Sequence, residues 1–247
     1  MKKTVDIIIP AYNEEKRIGV MLAAYVKFFF REGSDQDFVV RFLLALNGCT
    51  DDTRGVVERF ASTHPKQIII YEWKEAIGKG GAIHRAFGRA TSEYVGFVDA
   101  DNSTNPKEFF RLLGALDDHD GVVASRWMAG SVVNNRHSRL RRLASVLFRT
   151  AVKVIFRMSY HDTQCGAKVF RTAVIKEILP RLRVQDMAFD VELLYILHKL
   201  NKDVIETPTV WNDSQRGSSA FPSPWRLLRS GMRMFTSIFT IRFRKIS

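Results

Sequence analysis

The sequence predicts an α/β fold in which helices flank a mainly parallel sheet. Short runs dense in β-branched and other apolar residues alternate with stretches that carry apolar residues at helical spacing. The short runs are almost continuously apolar, as strands covered on both faces are. Polar clusters follow several of them, at the end of a parallel sheet where ligands bind.

Taken in order, Val5 to Ile9 forms a buried strand closed by Pro10, and a helix runs from about Glu14 to Phe30. Val39 to Leu46 is the second strand, the turn Asn47-Gly48-Cys49-Thr50 follows, and Asp51 to Ala61 is helical. Gln67 to Tyr71 is the third strand, and Gly78-Lys79-Gly80-Gly81 opens a helix reaching about Ala90. Tyr94 to Val98 is the fourth strand, and Pro106 to Leu116 is helical again. No repeat, low-complexity tract or long linker interrupts this pattern. Residues 1–222 read as one catalytic domain and 223–247 as a basic amphipathic extension.

The 247 residues suffice for one substantial core, and 46% are apolar, which argues against disorder. The formal net charge of +12 favours anionic partners: nucleic acid, phosphorylated substrates or an acidic membrane surface. The two cysteines, Cys49 and Cys165, lie far apart and outside any CxxC pair, which fits a reducing compartment and no thiolate metal site. No signal peptide is visible, and no apolar run approaches the roughly 18 residues of a membrane-spanning helix. Contact with a membrane would be peripheral.

Asp99-Ala100-Asp101 is the sharpest local feature. A buried strand delivers two carboxylates to the ligand end of the sheet, where they repel unless a cation neutralises them. Oxygen ligands of this kind suit Mg²⁺ or Mn²⁺, which also bridge phosphate oxygens. The competing reading makes Asp99 a turn cap and Asp101 the cap of the next helix. Lys79, between glycines at a helix start, suits an anionic group, although the spacing is not that of a P-loop.

Together these residues resemble glycosyltransferase family 2, whose members share the GT-A fold with its Rossmann-like sheet. Pro10-Ala11-Tyr12-Asn13-Glu14-Glu15 is similar to the family's nucleotide-binding start, and Asn47 to Thr53 stands where the family carries a DDGSxDxT segment. Asp162-Thr163-Gln164-Cys165-Gly166-Ala167-Lys168-Val169-Phe170 and Phe189-Asp190-Val191-Glu192 resemble dolichyl-phosphate β-glucosyltransferases and, more loosely, dolichyl-phosphate mannose synthases. The likeness covers about Val5 to Pro224.

The resemblance implies inverting transfer of a hexose, glucose or mannose, from UDP or GDP to a polyprenyl or dolichyl phosphate. It gives Pro10, Tyr12, Glu14, Asn47 and Lys79 to the nucleotide, with Leu46 and Asn47 standing where the family has paired aspartates. Asp99 and Asp101 hold the metal at the departing diphosphate. Arg126, and Arg141 with Ser145, match acceptor-phosphate positions, and arginine's planar donors suit phosphate. Asp190 is a candidate for sugar contact or for a base, and Gln164 for the sugar or the metal surroundings. Glu192, two residues from Asp190 on one helix, does not share its face and reads as an orienting or ion-paired group. Cys165, His84 and His161 read as structural. A saccharide hydroxyl acceptor is the alternative reaction, and it would require Asp190 as base.

Two basic amphipathic helices complete the reading. From about 138 to 158, Leu140, Leu143, Ala144, Leu147, Ala151, Val154, Ile155 and Met158 form an apolar stripe beside Arg142, Arg149, Lys153 and Arg157. From Trp225 to about Arg242, Leu228, Met232, Phe235 and Phe239 do the same beside Arg226, Arg229 and Arg233. Such helices lie in an anionic membrane interface, here expected at the cytoplasmic face. The basic runs carry Leu, Val and Ile on helical spacing rather than interleaved stacking aromatics, which argues against nucleic acid.

Overall fold

The computed structural model describes residues 2–30, 37–134, 139–212 and 224–244, with the side chains of 139–142 and 224–233 outside that set. Four parallel strands build the ligand-binding half: β1 (Lys3–Ala11), β2 (Phe38–Asn47), β3 (Ile68–Trp73) and β4 (Tyr94–Phe97). Helices α1 (Ile18–Phe29), α2 (Thr53–Thr63) and α3 (Gly78–Arg89) connect them, and α4 (Pro106–Leu116) leads to β5 (Gly121–Ser125). The chain continues through β6 (Val132–Asn134), α5 (Arg139–Phe156), β7 (Lys168–Arg171), α6 (Thr172–Ile178), α7 (Phe189–Lys199), β8 (Val204–Pro208), β9 (Val210–Asn212) and α8 (Pro224–Phe243). The main sheet has the order β3-β2-β1-β4-β7-β5-β8, with β7 antiparallel to both neighbours, and β6 pairs with β9 in a separate ribbon.

Alternation along β1 shows why the strands read as continuously apolar. Val5, Ile7, Ile9 and Ala11 face a core shared with α1, α2 and α4, while Ile8 faces the opposite core with α3, α6 and α7. Pro10 does not end β1. Its nitrogen lies on the β4 side, as Ile8 does, and β4 makes its last bond to that edge when Val98 N–H donates to Ile8 O at 3.0 Å. Proline's missing N–H falls where the ladder with β4 stops. Helix α1 begins at Ile18 rather than near Glu14, because Asn13 takes a positive φ of 53° and Glu14 to Arg17 form a separate turn.

The expected stripe on α5 divides: Met158, just past its end, is buried and Ile155 packs on the core, while its earlier part faces outward. Phe148, Val152 and Phe156 bury themselves against the protein, while Leu143, Leu147 and Val154 are 55%, 58% and 70% exposed. In α8, Ile238 and Ile241 join the core, whereas Phe235 and Phe239 of the expected stripe, with Phe243, remain exposed. Through its described side chains, the C-terminal helix therefore packs Ile238 and Ile241 into the core and leaves Phe239 and Phe243 exposed.

Candidate active site

In a parallel sheet whose strand order runs outward in both directions from β1 and β4, the connections leave on opposite faces and open a crevice beyond the strand ends. A cleft of about 440 Å³ occupies that position. Pro10 and Ala11 come from β1, Asn47 from β2, Asp99 to Asp101 from the turn after β4, and Lys79 from α3.

The carboxylate pair sits at the bottom of this cleft. Asp101 Oδ1 accepts from Ser103 N–H at 2.9 Å, which holds the tight turn in which Asn102 has φ 60°. Helix α4 is capped instead by Asn105, whose side chain accepts from Glu108 N–H at 3.1 Å, with Pro106 opening the helix. Asp101 is thus a turn residue and not the helix cap. Asp99 Oδ1 lies 2.8 Å from Lys79 Nζ, and its other oxygen rests against Gly166, where a Cβ would come within 1.8 Å. Gly166 is required for that contact.

Electrostatics separates the two aspartates. Burial raises the Asp101 carboxyl, and the neighbouring Asp99 charge raises it further. Burial also acts on Asp99, but Lys79, with Lys168 and Arg126 behind it, outweighs this and holds the group below the usual carboxylate range. Glu14, on the same cleft, is raised by burial despite its pairing with Arg17, and Asp101 and Asp99 add to the rise. This local excess of carboxylate suits a hard divalent cation. Among the described residues no three His, Cys, Asp or Glu side chains form a complete ligand group. The donor set fits Mg²⁺ or Mn²⁺ held by Asp99 and Asp101, with its other positions left for phosphate oxygens and water.

The proposed nucleotide residues form the wall above. Tyr12 is 53% exposed at the cleft mouth, and Asn13 Oδ1 accepts from Thr50 N–H at 2.8 Å, tying the turns after β1 and β2 together. Glu14 N–H donates to Thr53 Oγ1 at 2.7 Å, and the Glu14 carboxylate pairs with Arg17. Asn47 lines the cleft but is buried, and its Oδ1 accepts from Ile77 N–H at 2.7 Å, fixing the approach to α3. The start of α3 is partly satisfied within the protein, since Gly81 N–H donates to Gln185 O at 3.1 Å. Gly78, with φ 76°, and Gly80 allow this, because a Cβ on either would collide with the segment from Val184 to Phe189.

Asp190 and Glu192 point to different environments, as their two-residue spacing requires. Asp190 is 1% exposed, with Oδ1 2.5 Å from Lys168 Nζ and Oδ2 3.7 Å from Lys79 Nζ. Glu192 accepts from Arg183 and Val184 N–H and from Arg244 at 2.6 Å, an entirely structural set. Lys168 is wholly buried and also donates to Cys165 O at 2.6 Å. Sequence reasoning singled out its motif but gave this lysine no role, since nothing local to β7 (Lys-Val-Phe-Arg) marks it as buried.

Of the expected acceptor residues, Arg126 lies beside this cluster. Arg126 makes a two-pronged pair with buried Asp162, from Nε at 2.7 Å and from its terminal nitrogen at 3.0 Å, and its own N–H also donates to Asp162. Burial opposes the Arg126 charge, but Asp162 raises its pKa and Asp99 contributes. The indole of Trp211 stacks under the guanidinium at 5.3 Å. Gln164 N–H donates to Asp162, and its side-chain amide reaches Met234 Sδ in α8 at 3.3 Å rather than the carboxylate pair. Ser145 is exposed on α5, and the side chain of Arg141 lies outside the described residues. Asp162 and Trp211 carry the geometry that the sequence reading had credited to Arg126 alone. Cys165 is buried, with its thiol pushed up to about 11 chiefly by burial, and does not serve as a nucleophile. His84 bonds Leu179 O and His161 pairs with Glu206, both structural as expected.

The family model described as Glycosyl transferase family 2 matches residues 6–179. A dolichyl-phosphate beta-glucosyltransferase of Dictyostelium discoideum is 31% identical over 248 residues, covering 97% of this chain and 74% of that protein. The human protein of the same name is 27% identical, covering 93% and 73%. A crystal structure of glucosyl-3-phosphoglycerate synthase from Mycobacterium tuberculosis, in complex with Mn²⁺, UDP and phosphoglyceric acid, superposes with a TM-score of 0.69. That match has 16% identity and covers 99% of this chain and 80% of the other, a likeness of fold alone. The matched span contains every residue lining the crevice except Met187, including both aspartates and Lys79, together with Arg126 and the Asp162 to Phe170 segment, and the chain is a member of glycosyltransferase family 2.

Proposed function

We propose that the protein transfers glucose from UDP-glucose to a polyprenyl or dolichyl phosphate at a membrane surface, with inversion at the anomeric carbon. The observation that carries this is the juxtaposition of the Asp99–Asp101 crevice with Arg126 through one loop, in which Asp162 pairs with Arg126 and Gly166 lies against Asp99. The names of the relatives supply the acceptor, and the Mn²⁺ and UDP complex of the structural neighbour supports the donor.

In this reading an acceptor phosphate oxygen forms a bond to the sugar C1 as the bond from C1 to the diphosphate oxygen breaks. UDP leaves with the electron pair, and no proton has to be removed from an acceptor that is already anionic. A divalent cation, when bound, neutralises charge on the departing diphosphate. Asp99 and Asp101 hold that cation, Lys79 lies along the crevice, Tyr12 offers an exposed ring at its mouth for the base, and Asn47 frames the opposite wall. Arg126, fixed by Asp162 and Trp211, presents positive charge to the acceptor phosphate, with Arg141 and Ser145 assigned to the same task from sequence.

A saccharide hydroxyl acceptor is less well served. Asp190, the residue that would have to act as base, already has an ammonium group near each carboxylate oxygen.

The membrane is approached through α5 and α8. Their exposed Leu143, Leu147, Val154, Phe239 and Phe243 are accompanied by exposed Lys153, Arg157 and Arg242. Arg149 of α5 stacks on Trp127, adjacent to Arg126, and Met234 of α8 meets Gln164, so the two helices adjoin the acceptor residues. No helix among the described residues is long and apolar enough to cross a membrane; the attachment proposed here is peripheral, at the cytoplasmic face, and rests on the exposed faces of α5 and α8.

The donor is tested with a panel of radiolabelled UDP- and GDP-hexoses, polyprenyl phosphate, and Mg²⁺, Mn²⁺ or a chelator. The expected result is lipid-phosphate-dependent label from UDP-glucose, lost with the chelator. Equal transfer in chelator removes the metal role, and transfer from GDP-mannose alone replaces the donor.

A further inference from the structure

Lys79 has two carboxylate partners and only one of them is free to accept a metal. Its Nζ lies 2.8 Å from Asp99 Oδ1 and 3.7 Å from Asp190 Oδ2. Asp190 is immobilised on the far side by Lys168, which is itself wholly buried and tied to Cys165 O at 2.6 Å. Asp99 lies against the side-chain-free Gly166 and turns Oδ1 to Lys79, so a cation bound by this carboxylate shares it with the ammonium group. A divalent ion and an ammonium group on the same carboxylate repel each other in a partly buried site.

The ammonium also cannot retreat into water without cost, since its side chain is only 15% exposed. Asp190 removes that difficulty: a short rotation of the flexible lysine stem replaces one ion pair by another. The ring of Phe97 lies 5.9 Å from Lys79 Nζ and 5.2 Å from Lys168 Nζ, so the path between the two carboxylates remains over an aromatic face.

We infer that Lys79 is a two-seat counter-ion, neutralising Asp99 while no divalent cation is bound and moving onto Asp190 when the cation takes Asp99. This gives Asp190 a positioning role, as the fixed second seat, in place of the base or sugar contact expected from sequence. It also delays firm metal binding until the nucleotide arrives, because the diphosphate adds the ligands that outweigh the displaced ion pair. The inference rests on the proposed divalent-cation site at Asp99 and Asp101.

The test is Mn²⁺ binding, followed by the electron paramagnetic resonance signal of free Mn²⁺, with and without UDP. In the absence of UDP, Lys79→Met is expected to tighten Mn²⁺ binding about tenfold or more, by removing the competing charge. Lys79→Gln, which retains a hydrogen-bond donor but no charge, should do the same, and it substitutes if the methionine variant does not fold. Asp190→Asn should weaken Mn²⁺ binding in the parent protein and have little effect in the Lys79→Met background. Unchanged or weaker binding in both Lys79 variants overturns the inference, as does an equal effect of Asp190→Asn in both backgrounds. If the parent protein binds no Mn²⁺ even with UDP, the metal site itself is wrong, a result distinct from a bound ion that is indifferent to Lys79.

Discussion

The donor and acceptor sides of this site are built by different means. The donor side hangs on the ends of adjacent parallel strands: its two carboxylates stand on one turn, and the bonds Glu14–Thr53, Asn13–Thr50 and Asn47–Ile77 cross between neighbouring strand ends. The acceptor side is assembled from segments outside those strands: Arg126 follows β5 and meets Asp162 in the loop before β7, and Gln164 meets Met234 in α8. A carboxylate of the donor turn can be altered with little effect beyond the cleft. A side chain on the acceptor side carries both recognition and the packing of separate segments. Mutations on the two sides should therefore differ in whether stability changes with activity.

The largest effect is expected at the donor carboxylates. Asp101→Asn should lower kcat/KM on the order of a thousandfold at saturating Mg²⁺ or Mn²⁺, with a thermal midpoint close to that of the parent, because it removes charge at the diphosphate. A loss under tenfold in steady-state kinetics would remove Asp101 from the metal site. On the acceptor side, Asp162→Ala should cost roughly 3 kcal/mol in denaturant unfolding, since it leaves Arg126 without its buried partner. The same variant should raise the apparent KM for lipid phosphate more than that for UDP-glucose. A pure stability loss with unchanged acceptor KM would reduce the pair to a structural one.

Helix α7 offers the same contrast within two residues. Glu192→Gln should destabilise by about 2 kcal/mol, because its bonds to two backbone N–H groups and Arg244 weaken, while both KM values hold. The membrane face comes next. Phe239 and Phe243 are 51% and 79% exposed, so replacing both with serine should leave the fold intact and reduce cosedimentation with anionic liposomes about tenfold. Raising the salt should weaken the parent's binding as well. The smallest effect concerns the thiols: with Cys165 buried and raised to about 11, only Cys49 should react with a thiol reagent near neutral pH, and Cys165 only on unfolding.

This division explains what was legible in the sequence. The parallel strands, the Asp99–Asp101 turn and the glycine-rich start of α3 are local patterns, and each is recognisable within a window of ten residues. The outward face of α5 was also readable from its period. What the period could not supply was the inward face, because Phe148, Val152 and Phe156 are apolar on the same helix and only tertiary packing distinguishes the two. Lys168 went unassigned for a related reason. Its partner Asp190 is 22 residues away, on another element, and neither residue alone signals a buried pair. Asn47 shows the converse: a position marked by resemblance for base contact also bonds the backbone of Ile77, which no alignment of motifs announces.

The central claim, that the acceptor is a lipid-linked phosphate, is tested most directly by offering the protein radiolabelled UDP-glucose with polyprenyl phosphate, the corresponding free polyprenol, or a saccharide. The account predicts label in a mild-acid-labile glycolipid from polyprenyl phosphate alone, and a selective loss of that product in Arg126→Ala. Comparable transfer to the polyprenol or to the saccharide would contradict it.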